Sequence, residues 1–371
     1  MAGLATLALA GGVAAGAGDG ESSRPTAPPP SRAAAQPTPA PTPTPPPPPD
    51  TRRAKRRPLT RLVGSIVILR FPGPTMPEYV GRMLRRGLAA GAILFPDNAP
   101  DPPTVRALNR TLQRFAGGRA IIGTDQEGGR VRRLAWAAPF DAQPGRSTEA
   151  AATAAARASG RDLRKAGLTA VFAPVADLGF GATFMRGRAF PGGPGQVARL
   201  TAAAVRGYRG TGVAPAVKHF PGLGGATINT DDAPATVNRS ARDIGQLDLP
   251  PFRAAIRARA PMIMLSHALY PALDPNDIAS QSKAIATDLL RGRLGYEGVA
   301  ITDSLEARAV TVRAQPGPAA VRSVRAGADL ILLTGPGSHL KVVRALLAEA
   351  RRSRSFRARL EEASARVDAL R

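Results

Sequence analysis

Short apolar runs alternate with amphipathic, alanine- and arginine-rich stretches from Leu62 to the end of the chain. The apolar runs have the length and β-branched content of buried strands, and several of the stretches between them have the spacing of helices. Such alternation is typical of a parallel sheet whose strands are joined by helices. Eight strands are predicted, at residues 63–70, 90–95, 120–124, 168–174, 213–219, 261–266, 298–302 and 328–333.

Eight strand–helix units in about 310 residues match the (β/α)8 TIM barrel, whereas a doubly wound open sheet would normally have fewer strands. We therefore predict an α/β fold in which residues 60–371 form one TIM-barrel domain. A domain of this size buries enough surface to fold without disulfides, and the chain has no cysteine.

The first 59 residues have a different composition. Residues 4–16 form an apolar run as long as the core of a signal peptide and too short to span a bilayer, although no charged segment precedes it. Thirteen of the 37 prolines lie between Pro25 and Pro49, a density typical of a disordered stalk. We predict a signal or apolar segment at 1–23 and a Pro/Thr/Ala-rich, basic linker at 24–59. The expected location is extracellular or at the cell surface, with the cytoplasm as the alternative.

The chain carries a net charge of +24, from 51 Lys and Arg against 27 Asp and Glu. An ordinary basic surface is the preferred interpretation, and contact with acidic cell-wall polymers or a membrane surface is the alternative. Aromatic residues make up only 4% of the chain, which argues against a nucleic-acid partner. With no cysteine and three histidines, the composition also disfavours a metal site.

Polar residues follow four of the predicted strands. Asp125 and its neighbours come after the third strand, Lys218 and His219 close the fifth, His267 follows the sixth and Asp303 follows the seventh. The loops after the strands build the active site of a TIM barrel. The sequence therefore predicts that these side chains meet at one rim.

Three segments carry a family resemblance: IGTDQEGGRV at 122–131, KHFPG at 218–222 and ITDSL at 301–305. Their order and spacing resemble glycoside hydrolase family 3, and most closely its single-domain β-N-acetylhexosaminidase branch. The resemblance covers nearly all of the foldable chain.

The resemblance implies a retaining glycosidase with Asp303 as nucleophile. It also implies that Asp125, Arg188, Lys218 and His219 contact the sugar, although Arg188 could instead form an ion pair at the rim. No metal or organic cofactor is implied, because side chains can carry out both chemical steps. The expected partner is a carbohydrate substrate, and the expected state is a monomer.

One loop departs from the family pattern. In the hexosaminidase branch, an Asp and a His after the KHFPG motif form the acid/base pair, but here the chain reads LGGATINTD at 223–231. Asn229 stands in place of the Asp and Asp231 in place of the His. Asp231, or the adjacent Asp232, could act as a carboxylic general acid if its pKa is raised. Alternatively, Glu127 or His267 could supply the proton, or the barrel could hydrolyse slowly or only bind glycan.

These observations predict a β-N-acetylhexosaminidase that acts on cell-wall or related glycans. A catalytically weak glycan-binding or wall-binding barrel is the alternative from another functional class. A β-glucosidase or β-xylosidase specificity is the alternative within the same class.

Overall fold

The computed structural model describes residues 49–179, 183–335 and 337–371. The predicted signal segment and residues 24–48 of the predicted proline-rich linker lie outside these residues. Within the described part of the chain, no helix combines the length and the apolar character needed to cross a lipid bilayer.

Eight parallel strands surround a central axis and confirm the predicted barrel. They are β1 (Val67–Leu69), β2 (Gly91–Ile93), β3 (Ile121–Gly123), β4 (Ala170–Val171), β5 (Ala214–Phe220), β6 (Met262–Leu265), β7 (Val299–Ser304) and β8 (Leu330–Leu332). The ladder runs β3-β2-β1-β8-β7-β6-β5-β4. Between β3 and β4, the amides of Thr169 and Phe172 donate to the carbonyls of Ile122 and Thr124, both at 2.9 Å. These two hydrogen bonds close the ring.

Helices follow each strand. They are α1 (Glu78–Arg86), α2 (Pro102–Phe115), α3 (Glu149–Lys165), α4 (Pro194–Tyr208), α5 (Leu249–Arg257), the π-helical α6 (Ala284–Arg293), α7 (Pro316–Ala326) and α8 (Ser338–Arg352). Helices Arg52–Lys55 and Leu59–Gly64 precede the barrel, and helix Arg354–Leu370 ends it. Shorter helical turns are Pro96–Asn98, Gln143–Gly145, Thr183–Arg186, Ala241–Asp243, Ile244–Asp248, Ala279–Gln281 and Arg308–Thr311.

The helix starts follow from local chemistry. The Asp101 carboxylate accepts the amide of Thr104 at 2.8 Å, and the Thr148 hydroxyl accepts the amide of Ala151 at 3.1 Å. These contacts satisfy amides at the starts of α2 and α3 that have no partner within the helix.

The strands consist of residues that are buried on both faces, as a barrel requires. Strands β1, β2, β3 and β8 are buried at every position, and their side chains pack inward against one another or outward against the helices. Each of the eight predicted strands overlaps an observed strand, and β5 and β7 extend beyond their predicted ends, to Phe220 and Ser304. The first prediction was wrong at its start, because Val63 and Gly64 belong to the helix Leu59–Gly64. Two hairpins at the mouth, Gln126–Gly128 with Val131–Arg132 and Leu269–Tyr270 with Asp274–Ile278, were not predicted.

The folded part also begins earlier than the predicted boundary at residue 60. In the helix Arg52–Lys55, Ala54 is 1% exposed. Beyond it, Arg57 forms a 2.6 Å ion pair with Asp368 in the C-terminal helix. Residues that the composition assigned to the linker are therefore packed against the barrel.

Candidate active site

The candidate site lies at the rim formed by the carboxyl ends of the strands. Asp125 lies two residues after the end of β3, Lys218 and His219 lie in β5, and Asp303 lies in β7. Arg188 lies in the segment between β4 and α4, and Asp231 lies in the loop between β5 and α5. The structure thus brings all six predicted site residues to one end of the barrel.

A chain of ion pairs joins four side chains at this rim. The Lys218 ammonium lies 2.7 Å from Asp125 Oδ1 and 2.7 Å from Glu127 Oε1. The Arg188 guanidinium donates to both oxygens of Glu127, at 2.8 and 2.7 Å. This bidentate geometry fixes the plane of Arg188. Arg188 therefore forms an ion pair at the rim, which was the alternative to a sugar contact. It also lies next to the other predicted sugar contacts.

Glu127 is fully buried beneath this network. Burial opposes its charge, but Lys218 and Arg188 outweigh that effect and lower the pKa of Glu127 to about 2. The carboxylate is therefore ionised across the physiological range and already accepts hydrogen bonds from two cations. Glu127 does not fit the role of an alternative proton donor.

A buried carboxylate orients His219. Asp177 Oδ2 lies 2.6 Å from His219 Nδ1, and its oxygens also accept the amides of His219 and Leu223. Because a carboxylate can only accept, Nδ1 carries the proton and Nε2 is directed toward the site. Nε2 lies 3.9 Å from Asp303 Oδ2. His219 is thus positioned between Asp177 below and Asp303 above.

Asp303 is surrounded by groups that stabilise its charge. Burial opposes ionisation, but His219, His267, Lys218 and the amide of Ser304 together hold the pKa of Asp303 below its ordinary value. The Ser304 amide donates to Oδ1 at 2.8 Å. The side chain is about one fifth exposed at the mouth. Asp303 is therefore an ionised carboxylate that a ligand can reach.

The pKa of Asp231 is displaced in the opposite direction to that of Asp303. Desolvation by the rim and then the charge of Asp303 raise its pKa, although its side chain is open to solvent at the mouth. The Asn229 side chain accepts the amide of Asp231 at 3.3 Å. The amides of Arg308 and Ala309 donate to the carbonyls of Asp231 and Thr230, at 3.1 and 3.0 Å. The loop is thereby tied to the segment that follows Asp303.

His267 is completely enclosed. Its Nδ1 lies 2.7 Å from the Ser280 hydroxyl and its Nε2 2.9 Å from the Ser304 carbonyl. Burial lowers the pKa of His267, so the ring is neutral near pH 7. With both nitrogens engaged, His267 supports the end of β7 and does not fit the role of an alternative proton donor.

A family model described as the glycosyl hydrolase family 3 N-terminal domain matches residues 64–370. The chain belongs to glycosyl hydrolase family 3. The family-3 resemblance of the three motifs is thereby confirmed, and the barrel is that of a glycosidase.

Relatives of this family-3 chain cover most of its length. A protein of Arthroderma benhamiae described as an uncharacterized secreted glycosyl hydrolase is 34% identical over 324 residues, 83% of this chain and 91% of the relative. A β-hexosaminidase of Stenotrophomonas maltophilia is 34% identical over 264 residues, 68% of this chain and 78% of the relative. The structure of a family 3 β-N-acetylglucosaminidase from Paenibacillus sp. aligns with a TM-score of 0.80 and 34% identity, over 85% of this chain and 62% of that chain.

Sequence reasoning missed Asp177 in this family-3 barrel. Asp177 follows β4 as a lone carboxylate at the end of an apolar run, FAPVAD at 172–177. That position, at the carboxyl end of a predicted strand, was the available signal. Its link to His219 could not be read from the sequence, because the two residues are 42 positions apart.

A large cavity lies at the other end of the barrel. It measures about 1250 Å³ and is lined by residues at the strand starts, such as Ile121, Thr169 and Pro261. Its lining contains seven arginines and neither aspartate nor glutamate. Most glycoside hydrolases use a pair of Asp or Glu side chains, and such side chains lie at the mouth, which is therefore the candidate active site.

Proposed function

We propose that the protein is a retaining β-N-acetylhexosaminidase in which Asp303 is the nucleophile and Asp231 the general acid and base. One observation carries the proposal: two carboxylates at the mouth of a family 3 barrel have pKa values displaced in opposite directions. Environments that separate two carboxyl pKa values in this way are typical of acid/base pairs.

In the first step, ionised Asp303 attacks the anomeric carbon while Asp231 gives its proton to the departing glycosidic oxygen. A covalent glycosyl-enzyme results. In the second step, Asp231, now ionised, takes a proton from water, and the water oxygen displaces Asp303. Proton transfer leaves Asp231 negatively charged after the first step. Asp303 is then a neutral ester of the sugar, so the two side chains do not repel each other.

The ion-paired residues supply the sugar subsite. Asp125 has one oxygen on Lys218 and a side chain that is 18% exposed, so it can accept sugar hydroxyls. From β5, the Lys218 ammonium can donate to the same hydroxyls, and the unprotonated Nε2 of His219 can accept a hydrogen bond from a sugar hydroxyl. Arg188, fixed by Glu127, borders this subsite. The charged side chains of this subsite are held in place by their ion pairs. The subsite therefore favours sugars whose hydroxyl groups match these fixed positions.

The substrate class and location extend the proposal. The Stenotrophomonas and Paenibacillus relatives are named for hexosaminidase and N-acetylglucosaminidase activity, which supports β-linked N-acetylglucosamine as the sugar. The Arthroderma relative is described as secreted, which supports export. We extend this to action on cell-wall glycans outside the cytoplasm.

The test uses Asp303→Asn with a fluorinated N-acetylglucosaminide that traps glycosyl-enzymes. Wild type should become labelled, and Asp303→Asn should remain unlabelled and lose activity by several orders of magnitude, since the covalent route is closed. Glu297→Gln, which removes an exposed carboxylate at the end of the barrel opposite the mouth, is the matched control for surface electrostatics. Normal labelling of Asp303→Asn would overturn the assignment of the nucleophile.

The same assay on other substrates tests the sugar. If wild type turned over β-glucosides or β-xylosides faster than the N-acetylglucosaminide, the proposed sugar would be wrong. If wild type bound glycan without turnover, the protein would be a glycan-binding barrel.

A further inference from the structure

Two connected cavities open at the end of the barrel where the strands begin. The first, of about 1250 Å³, is bordered by the turns that lead into β3, β4, β5 and β6, and seven arginines line it: Arg110, Arg114, Arg119, Arg164, Arg209, Arg259 and Arg371. Eight arginines line the second, of about 660 Å³: Arg53, Arg56, Arg57, Arg61, Arg85, Arg114, Arg119 and Arg371. Three of these are shared, so the cavities form one groove. We call it the arginine groove.

Neither lining contains an aspartate or a glutamate. Beneath the surface, Asp368 accepts ion pairs from Arg57, Arg119 and Arg371. Among the described residues, no carboxylate lies within ion-pair distance of Arg110, Arg114, Arg164 or Arg259, and all four are exposed. The positive charge of the groove is therefore only partly neutralised by the protein.

The arginines of the groove repel one another. Burial lowers the pKa of Arg371 to about 10 even though Asp368 counteracts it, and the neighbouring cations Arg119, Arg57 and Arg53 add to the lowering. Like charges that disfavour one another in this way favour a bound anion, which would relieve the repulsion.

Arg259 occupies a backbone conformation that normally selects glycine. Its φ is +56°, the only positive φ of a non-glycine residue in the described chain. Its amide donates to Ile256 and that of Ala260 donates to Ala255, the two hydrogen bonds of a glycine-type helix end after α5. The equivalent turns after α1 and α3 use Gly87 and Gly167 at φ +67° and +86°. At the turn after α5, Arg259, which lines the groove, stands where the backbone conformation favours glycine.

We propose that the arginine groove binds a linear polymer of closely spaced phosphate groups, so that the enzyme is held by the face opposite its active site. Guanidinium groups pair with phosphate oxygens in a bidentate manner, and an array of them suits a repeated anion. The proposal concerns a surface distinct from the catalytic rim and does not depend on the proposed function.

The shape of the groove favours a strand over a flat membrane, because the arginines line a continuous concavity that a planar surface cannot enter. Its aromatic lining does not suit nucleic acid. Tyr208 is buried, and the Phe115 ring is covered by Arg85 and Arg114, at 4.7 and 5.6 Å from its centroid. Neither ring is presented for base stacking.

The test measures binding of full-length protein to inorganic polyphosphate across a range of salt concentrations. The groove variant replaces Arg110, Arg114, Arg164 and Arg259 by Gln. The matched control replaces four exposed arginines of the outer helices by Gln, namely Arg157, Arg322, Arg344 and Arg354. Both variants lose four charges, so net charge alone predicts equal effects.

The groove variant should bind polyphosphate at least about tenfold more weakly, and the slope of log K against log salt should fall by about 3, because each phosphate contact contributes about 0.7. The control should bind as wild type does, and both variants should keep wild-type glycosidase activity. Equal losses in the two variants would overturn the proposal. So would tighter binding to anionic phospholipid vesicles, or to a single-stranded oligonucleotide, than to polyphosphate at equal phosphate concentration.

Arg259→Gly separates binding from folding. Glycine relaxes the backbone at a positive φ, so the melting temperature should stay level or rise. Polyphosphate binding should weaken in the same protein. A variant that is as stable as wild type and binds polyphosphate equally well would show that Arg259 is not part of the surface and would contradict the central role we give it.

Discussion

Two aspartates at the mouth differ because of what surrounds them. Burial opposes the charge of Asp303, but His219 and then His267, Lys218 and the Ser304 amide outweigh it and lower the pKa of Asp303. Asp231 sits at the edge, where partial desolvation and the charge of Asp303 raise its pKa. The same side chain type thus acquires two protonation tendencies from its neighbours alone.

The Asp231→Asn variant tests the acid role. A general acid matters most for poor leaving groups, because a dinitrophenolate departs without a proton. The variant should lose about 10²-fold or more of its kcat/KM on a disaccharide while largely sparing glycosyl-enzyme formation from an activated aryl glycoside. In wild type, disaccharide hydrolysis should fall as the pH rises through the raised pKa of Asp231, because the acid must be protonated to act.

Stability provides a second measurement on Asp231→Asn. A raised carboxyl pKa means that the folded state holds the proton more tightly than the unfolded chain does. Ionised Asp231 therefore destabilises the fold above its ordinary pKa of 3.8. The Asn variant should melt at the wild-type temperature or higher at neutral pH, and the difference should vanish below about pH 3.8. A lower melting temperature with equal losses on good and poor leaving groups would instead indicate a loop cap.

Glu127 makes the opposite contribution to stability. Its pKa falls from 4.5 to about 2, so its ion pairs stabilise the fold above pH 4.5, and this stabilisation is lost as the pH falls toward 2. Glu127→Gln leaves Lys218 and Arg188 without their buried partner and should cost about 3–5 kcal/mol. Denaturant unfolding across pH should show a weaker acid dependence in the variant than in wild type. An unchanged acid dependence would mean that the network does not form.

At the scale of elements, the site depends on contacts between the fifth and seventh βα units, which are not consecutive in the chain. The loop after β5 carries Asp231, and the short helix Arg308–Thr311 after β7 donates two amides to that loop. The loop therefore takes its position from the strand that bears Asp303. A carboxyl group held by only a few hydrogen bonds loses alignment when one of them is removed.

Arg308→Pro removes one of these hydrogen bonds with little other disturbance. Arg308 is the first residue of its helix, where proline is favoured, and Ala307 before it already has the extended conformation that proline requires, at φ −54° and ψ 141°. The variant should fold with a loss of about 1 kcal/mol or less and should hydrolyse disaccharides about tenfold more slowly. Arg308→Ala keeps the amide and is the control. Equal rates in the two variants would show that this hydrogen bond does not position Asp231.

At the scale of the whole molecule, the barrel presents two unlike ends. The mouth gathers carboxylates with paired cations, whereas the arginine groove gathers cations. The C-terminal helix spans the second end, where Arg359 and Arg366 pair with buried Asp329 beside the start of β8. Residues 52–57 pack against the same helix through Ala54 and Arg57.

Truncation measures what residues 49–58 contribute. A chain that begins at residue 59 loses the buried Ala54 and the hydrogen bonds of Arg57 to Ser364 and Asp368, both at 2.6 Å. It should be about 3 kcal/mol less stable in denaturant unfolding than a chain that begins at residue 49, since the two lost hydrogen bonds involve a charged group and such bonds contribute about 1.5–3 kcal/mol each. Arg52→Ala in the longer chain alters an exposed pair with Asp50 and should change stability little. Equal stability of the two chains would show that residues 49–58 do not stabilise the fold and that the folded domain begins at residue 59.

Local patterns in the sequence were sufficient for the barrel and for its family. Strand and helix periods repeat within about ten residues, so eight units could be counted directly, and three short motifs carried the resemblance to glycosyl hydrolase family 3. The strand-end positions of Asp125, Lys218, His219 and Asp303 followed from the same counting. The start of the first strand was wrong, because an apolar run of this length suits a buried helix as well as a strand. The two hairpins at the mouth and the packing of residues 52–57 were not predicted.

Only the tertiary structure decided which charged groups meet. Glu127 is ionised because Arg188, 61 positions away, and Lys218 enclose it, and His219 is oriented by Asp177, 42 positions away. The arginine groove joins turns from four βα units with both ends of the folded chain. Electrostatic energies depend on distance and burial, and barrel closure sets both for residues that are remote in sequence. The pattern of one segment therefore predicts its element, while the charge state of its side chains depends on the whole fold.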